Sequence, residues 1–249
     1  MNKSFRWACI LGLMVSTAAQ AAITIDRTRV VYSGDMRSVS INLSNDNKEL
    51  PFLAQTWLED EHYQKITSPL VALPPLQRME PGSKSVIRVT TLPEVNTLPQ
   101  DRESLFFFNV REVPPKSDKS NVLQLALQTR VKLFYRPQAI VPKRGTIWQE
   151  QLTFKRAQNQ LTVNNPTPFY IVMTGFANDF RDKGGRDMAG FGGLMLAPFA
   201  TETITLKNPV PSTFVLDYIN DYGGHPELKF ACDAQQNCVA QPGADETKK

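Results

Sequence analysis

The sequence NVLQLALQTRVKLFY, residues 121–135, contains no glycine or proline and alternates between two kinds of side chain. Leu123, Leu125 and Leu127, called here the leucine row, lie at a spacing of two residues with Gln or Ala between them. The same parity continues through Thr129, Val131 and Leu133. A period of two is typical of a β-strand. The run is much longer than a usual strand, so it serves two sheets or extends beyond its own sheet.

Short strands separated by turns extend in both directions from this run. They are predicted around residues 38–44, 51–58, 85–91, 104–113, 148–156, 160–165, 168–176, 194–206, 213–219 and 226–232, the last pairing toward 238. Residues 69–75 and 136–145 contain several prolines and are predicted as a connection and as a domain link. This spacing indicates an all-β chain with two immunoglobulin-like β-sandwich domains, 22–140 and 147–241. A single large β-barrel is the alternative.

Residues 1–21 have the form of a secretory signal peptide. Lys3 and Arg6 precede a short apolar run, and Ala19–Gln20–Ala21 supplies a cleavage site. The run is shorter than the ~20 apolar residues that cross a bilayer, so export is favoured and no membrane insertion is expected. Removal of this peptide lowers the formal net charge from +4 to +2. A nearly neutral chain argues against nucleic acid as a partner.

Two cysteines, Cys232 and Cys238, remain after cleavage, because Cys9 lies in the signal peptide. In an oxidising compartment, this even pair with its short spacing favours a structural disulfide that closes a hairpin. A metal site would need more ligands, and His225 is the one histidine nearby. No metal is therefore expected.

The usual catalytic motifs, G-x-S-x-G and H-E-x-x-H, are missing from the sequence. The glycine-rich stretch Arg181–Gly193 lacks the ending of a phosphate loop and is predicted as a mobile hairpin loop. Residues 242–249 are polar and are predicted as a disordered tail. No enzymatic activity and no cofactor are expected. A secreted β-sandwich hydrolase that uses His62 is kept as an alternative, although this histidine lies in a charged turn.

Two features of the 121–135 run permit both a structural and a functional interpretation. The pattern by itself favours the leucine row as the core face of an internal strand. The alternative is an exposed edge that fills a groove in another protein, since bare apolar edges aggregate without a partner. Arg130 and Lys132 lie two residues apart in the same run, and Arg136 follows the run at the same parity. They form either a solvated face or a cleft that captures a carboxylate.

A series of motifs in fixed order covers nearly the whole chain after the signal peptide. The motifs are Asp26–Arg29, Asn45–Asn47 with Pro51, Pro74–Arg78 with Glu80–Gly82, Leu98–Ser104, Phe108–Pro115, Lys132–Pro137, Asn165–Pro168 and Tyr218–Gly224. Together they resemble the PapD-like family of periplasmic pilus chaperones, from about Ala22 to Val239. The resemblance implies two immunoglobulin-like domains in a boomerang arrangement, which agrees with the strand pattern.

The resemblance also implies roles for individual residues. The leucine row would be lent to a pilus subunit, a pilin or an adhesin, whose missing strand leaves a groove open. Arg29 and Lys132 would anchor the C-terminal carboxylate of that subunit in the cleft between the domains. Glu103, Arg136 and Asp221 correspond to a charged network between the domains.

The link between the phenylalanine-rich strand and the leucine row, Pro114–Asn121, is short, which resembles the short-loop members that serve thick, rod-like pili. The implied function is an ATP-independent periplasmic chaperone that delivers subunits to an outer-membrane usher. The sequence leaves open a self-dimer of the free chaperone. A fibre subunit is a further alternative, but Ile23–Thr24–Ile25 follows the cleavage site at once and leaves no spare donor arm.

Overall fold

The computed structural model describes residues 22–118, 121–177 and 191–242, and these residues form an almost entirely β structure. The first domain contains β1 Ile23–Ile25, β2 Arg29–Ser33, β3 Ser38–Asn45, β4 Phe52–Glu59, β5 Lys65–Ile66, β6 Leu70–Leu73, β7 Leu76–Met79, β8 Lys84–Thr91, β9 Ser104–Val113 and β10 Gln128–Arg136. A 3₁₀ turn, Pro93–Thr97, lies between β8 and β9.

The strands of the first domain form two sheets of an immunoglobulin-like sandwich. One sheet has the order β1-β3-β8-β6, and the other has the order β2-β10-β9-β4-β5, with β7 paired to β4. Ile41 and Leu43 of β3 share one buried cluster with Phe108 of β9 and Leu133 of β10. Since side chains alternate along a strand, neighbours such as Lys132 point to the outer face of the six-stranded sheet.

The second domain is a single folded-over sheet. Its strands are β11 Thr153–Ala157, β12 Gln160–Asn164, β13 Ile171–Ala177, β14 Leu194–Leu196, β15 Thr201–Thr205, β16 Thr213–Ile219, β17 Glu227–Cys232 and β18 Asn237–Ala240. They pair in the order β14-β13-β16-β17-β18-β11-β12-β15. Phe176 of β13 and Phe154 of β11 would be about 19 Å apart in a flat sheet, yet their ring centroids are 6.0 Å apart. The sheet therefore closes over a phenylalanine-rich core.

The two domains meet at the outer face of the six-stranded sheet. Leu105 of β9 and Phe134 of β10 pack with Val172 of β13 in a shared apolar cluster. The chain passes between the domains through a 3₁₀ turn, Gln138–Ile140, and enters the second domain through another, Trp148–Gln151. The apolar contact positions the charged side chains that lie between the domains.

Most strands lie close to their predicted positions, and β9 has the predicted ends. Residues 69–75, predicted as a connection, contain β6, because the prolines lie outside its ends and leave its backbone free to pair with β8. Residues 148–151 form a turn instead of a strand, since Trp148 and Gln149 are both buried and do not alternate. Residues 194–206 form two strands, divided where Phe199 takes a left-handed φ of 57°.

Cys232 and Cys238 form a disulfide directly across β17 and β18, which confirms the predicted closed hairpin. The predicted signal peptide, the tail from residue 243 and most of the predicted loop Arg181–Gly193 lie outside the described residues. Within the described ranges, no helix has the length and apolar character of a membrane span.

Candidate functional site

A pair of cations lies on the outer face of the six-stranded sheet. Arg29 is the first residue of β2 and pairs directly with Lys132 of β10 in a parallel ladder. Val30 and Leu133, the next residues of the two strands, are fully buried, so both cations point to the opposite face. The structure thus brings together the two residues that the sequence predicts as a carboxylate anchor.

The charges of this cation pair are poorly compensated. Burial lowers the pKa of Arg29, with Asp221 opposing, and burial together with the charge of Arg29 lowers the pKa of Lys132. Arg29 donates from Nη1 to the carbonyl oxygen of Ile219 at 3.3 Å, while its buried Nε has no hydrogen-bond partner. Two neighbouring, partly desolvated cations with unused donors favour the binding of an anion.

An open strand edge begins beside this cation pair. The ladder between β2 and β10 starts at Arg29 and Lys132 and continues toward the second domain. On its other side, β10 is paired with β9 from Gln128 onward. Among the described strands, residues 128–131 therefore have a neighbour on one side only. The unpaired backbone groups of such an edge accept an additional strand.

The leucine row continues this edge and is exposed. Leu123, Leu125 and Leu127 are 83%, 65% and 43% exposed, respectively. β10 begins at Gln128, so residues 121–127 extend beyond the paired strand, and the interpretation of the row as a core face, which the pattern alone favours, is wrong. The reason lies in the adjacent strand, because β9 ends at Val113 and the prolines that follow it cannot donate backbone hydrogen bonds. An exposed apolar row of this kind indicates a binding surface.

Arg136 connects the two domains. Its Nε donates to Glu103 at 2.8 Å, and its Nη1 and Nη2 donate to the carboxylate oxygens of Asp221 at 2.8 and 3.1 Å. Glu103 also accepts the backbone N–H of Tyr170 at 2.7 Å. The guanidinium carbon lies 4.8 Å from the ring centroid of Phe169. The three residues predicted as an interdomain network therefore form one connected assembly.

The network is held in a dry environment. Burial raises the pKa of Glu103 to about 7, although Arg136 and the Tyr170 amide act in the opposite direction. Burial alone would lower the pKa of Arg136, but its bonds to Asp221 and Glu103 outweigh this effect and raise it. Removing one partner of such a buried pair leaves the other uncompensated, which is more costly than removing both.

A second cluster on the same outer face was missed by sequence reasoning. The Nε of Arg130 lies 3.0 Å from Oε2 of Glu59 and donates to Oδ1 of Asn109 at 3.1 Å. The guanidinium carbon is 4.8 Å from the ring of Tyr63, which stacks on Phe107 at 4.9 Å. These residues, called here the Arg130 cluster, come from three strands and a turn. No local sequence signal marks them, because the strand register alone makes them neighbours.

The surroundings of His62 do not resemble a catalytic centre. The side chain is largely exposed, and its Nε2 lies 3.8 Å from Oε1 of the equally exposed Glu61. In the part of the chain that the structure describes, no group of three or more metal-ligating side chains is found. A general base needs a positioned partner and a substrate pocket, and this solvated turn offers neither.

The comparison with known families assigns the chain. Residues 22–141 match the N-terminal domain of PapD, a pili and flagellar-assembly chaperone, and residues 147–230 match the C-terminal domain of the pili assembly chaperone PapD. The chain belongs to the PapD family of pilus-assembly chaperones. This pilus chaperone is 50% identical over 240 residues to the chaperone protein PmfD of Proteus mirabilis, across 96% of this chain and 94% of PmfD.

Further relatives support the assignment. PapD of Escherichia coli is 46% identical over 228 residues, across 91% of this chain and 93% of PapD. The solved structure of the SafB chaperone of Salmonella enterica, in complex with the SafA pilin, superimposes with a TM-score of 0.70 at 25% identity, across 85% of this chain and 97% of SafB. The predicted family, all-β two-domain fold and chaperone function are confirmed. The hydrolase and fibre-subunit alternatives are not supported.

Proposed function

We propose that this pilus chaperone lends residues 121–131 to an incomplete pilus subunit in the periplasm and holds the subunit's C-terminal carboxylate between Arg29 and Lys132. The observation that carries the proposal is the continuity of one edge: the exposed leucine row, the unpaired side of residues 128–131 and the cation pair follow one another. A guest strand that ends at the cation pair therefore runs along the open edge and meets the leucines.

The physical contributions of the two parts differ. Each leucine of the row contributes roughly 1.5–3 kcal/mol when it is fully buried in the subunit's groove, before the cost of ordering the segment. The cation pair contributes a fixed end point for the guest strand. A one-residue slip from that point would turn the guest's side chains to the wrong face. The leucines supply apolar burial, whereas the anchor supplies charge-assisted hydrogen bonds to the carboxylate and fixes the register.

The partners follow from this arrangement and from the relatives. SafB is found in complex with a pilin, and we propose pilins and a tip adhesin as the guests of this chaperone. Delivery to an outer-membrane usher, with replacement of the lent strand by a neighbouring subunit's extension, would release the guest without a nucleotide. In the absence of a guest, a second copy of the chaperone would cover the exposed edge.

The proposal is tested by purifying the tagged chaperone from periplasm and identifying co-purified subunits by mass spectrometry. Arg29→Ala and Lys132→Ala are each expected to abolish subunit recovery, because an anchor cation is lost, while the melting temperature stays within a few degrees. Arg88→Ala, at an exposed position of β8 on the other sheet, is the matched control and should retain the subunits. Wild-type recovery in both anchor variants would contradict the proposal.

A further inference from the structure

The outer face of β10 presents a register problem to a guest strand. Arg130 and Lys132 lie two residues apart on this face, and the leucine row repeats with the same spacing. A guest that slips by two residues keeps every side chain on its original face and still meets two of the three leucines. Such a slip exchanges Lys132 for Arg130 as the partner of the carboxylate. The alternation of faces rejects a one-residue slip, but it does not reject this one.

The Arg130 cluster draws this competing cation away from the open edge. Arg130 contacts Asn109 at 3.1 Å and Glu59 at 3.0 Å. These partners belong to β9 and β4, which lie on the side of β10 opposite to β2 and the open edge. The ring of Tyr63, 4.8 Å from the guanidinium carbon, covers the group. Arg130 is thus oriented across the sheet and not toward a guest strand.

Glu59 also depends on Arg130 for charge compensation. It is 6% exposed, and its Oε1 accepts a hydrogen bond from Nε1 of Trp57 at 2.8 Å. Its buried Oε2 has no hydrogen-bond partner beyond the ion-pair contact. Lys65 stands directly opposite on β5, but its ammonium lies over the Trp57 ring, 5.7 Å from the centroid. A carboxylate buried in this way holds its cation strongly.

We propose that Glu59 is a register-determining residue, because it neutralises Arg130 and leaves the pair of Arg29 and Lys132 as the single carboxylate site. The proposal rests on the carboxylate anchor of the proposed function. Lys132 has no ion-pair partner among the described residues, and Arg29 stands beside it in the ladder. The contrast between a paired and an unpaired cation, one pleat apart, makes the discrimination possible.

The register is measured by disulfide trapping. A disulfide forms between Cα atoms about 4.4–6.8 Å apart, and a two-residue slip moves a strand by about 6.6 Å, so the two registers give different partners. Thr129→Cys on the open edge is combined with single cysteines at successive positions in the last strand of a subunit that co-purifies with the wild-type chaperone. With Glu59 and Arg130 unchanged, the Thr129→Cys chaperone is expected to form a disulfide with only one of the subunit positions that share a face of the guest strand.

Glu59→Gln keeps the shape of the side chain and removes its charge. We expect it to trap a second position two residues from the first, because the released Arg130 competes for the carboxylate. Adding Arg130→Gln to Glu59→Gln should restore the single position, a recovery that a merely structural role of Glu59 would not produce. Tyr63→Ala, in the exposed turn, leaves the buried carboxylate of Glu59 intact. The fraction of complexes in the slipped register should therefore be smaller than in Glu59→Gln.

A gain of binding provides the second measurement. Lys132→Met should trap no subunit, whereas Lys132→Met combined with Glu59→Gln should regain complex in the slipped register. The role of Glu59 is overturned if folded Glu59→Gln traps the same single subunit position as the wild-type chaperone. It is also overturned if Lys132→Met combined with Glu59→Gln traps no subunit. Failure of the wild-type chaperone to trap any subunit contradicts the proposed function instead, so the two failures are distinguishable.

Discussion

At the scale of single residues, Lys132 carries a charge that its surroundings disfavour. Burial and the neighbouring Arg29 lower its pKa, and a carboxylate bound beside it would raise the pKa again. The lysine therefore takes up a proton on binding when the pH is alkaline. When the pKa of a group is raised in the complex, the group contributes its full gain in affinity only at a pH below its pKa in the free protein. This affinity is lost as the pH rises through its pKa in the complex.

We expect subunit affinity to be constant near neutral pH and to fall by up to about tenfold per pH unit once the pH passes the lowered pKa of Lys132. Titration calorimetry with a purified subunit across alkaline pH measures this slope. Lys132→Arg is the matched control, because a guanidinium stays charged throughout the range, and its profile should be flat. Equal slopes in wild type and Lys132→Arg would show that the lysine does not titrate on binding.

The anchors and the Arg130 cluster differ in how far they could be predicted from sequence. Arg29 and Lys132 lie within contiguous motifs, so a family resemblance transfers them one position at a time. Glu59 and Tyr63 lie in a charged segment that by pattern alone is a solvated turn. Their importance depends on the register of β4 against β9 and on the left-handed φ of 62° at Tyr63. Neither quantity is encoded in a local pattern.

At the scale of the element, the run that ends in β10 has two parts with different energetic roles. Leu125 and Leu133 have the same parity, yet Leu125 is largely exposed and Leu133 is fully buried. Periodicity indicates which face a side chain occupies. Burial depends in addition on the presence of a neighbouring strand, and β9 overlaps only the last residue of the leucine row, where the Glu112 amide donates to the Leu127 carbonyl oxygen at 3.0 Å. The strand itself could therefore be predicted, whereas its first residue could not.

The two leucines provide a matched pair of substitutions. Leu125→Ala should change the free energy of unfolding by less than about 0.5 kcal/mol, as expected for an exposed site. It should weaken subunit binding by roughly 1.5–3 kcal/mol, since it removes a buried contact of the complex. Leu133→Ala should lower the free energy of unfolding by about 2–5 kcal/mol. Urea denaturation and binding titrations measure both quantities, and marked destabilisation by Leu125→Ala would place the row in a core.

At the scale of the whole molecule, the proposed binding site depends on the contact between the domains. Arg29 belongs to the first domain but donates to the carbonyl oxygen of Ile219 in the second. Arg136 joins Glu103 of the first domain to Asp221 of the second. A change in the domain orientation therefore moves the surroundings of the anchor. The network acts on subunit binding by holding the cleft in one geometry.

A substitution that leaves the Glu103 carboxylate without its cation should lower the free energy of unfolding more than a substitution at Asp221. The reason is burial, because the Glu103 side chain is 1% exposed and the Asp221 side chain is 29% exposed. Arg136→Met leaves Glu103 buried without its cation and should lower the free energy of unfolding by about 3–5 kcal/mol. Asp221→Asn should lower it by about 1 kcal/mol or less, since water reaches that site. Combining Arg136→Met with Glu103→Gln should recover much of the loss, because no buried charge remains.

Urea denaturation measures these free energies of unfolding, and small-angle scattering should show a broader range of domain orientations in Arg136→Met. Equal losses for Arg136→Met and Asp221→Asn, with no recovery in the double variant, would mean that the buried charge of Glu103 does not control the interdomain contact.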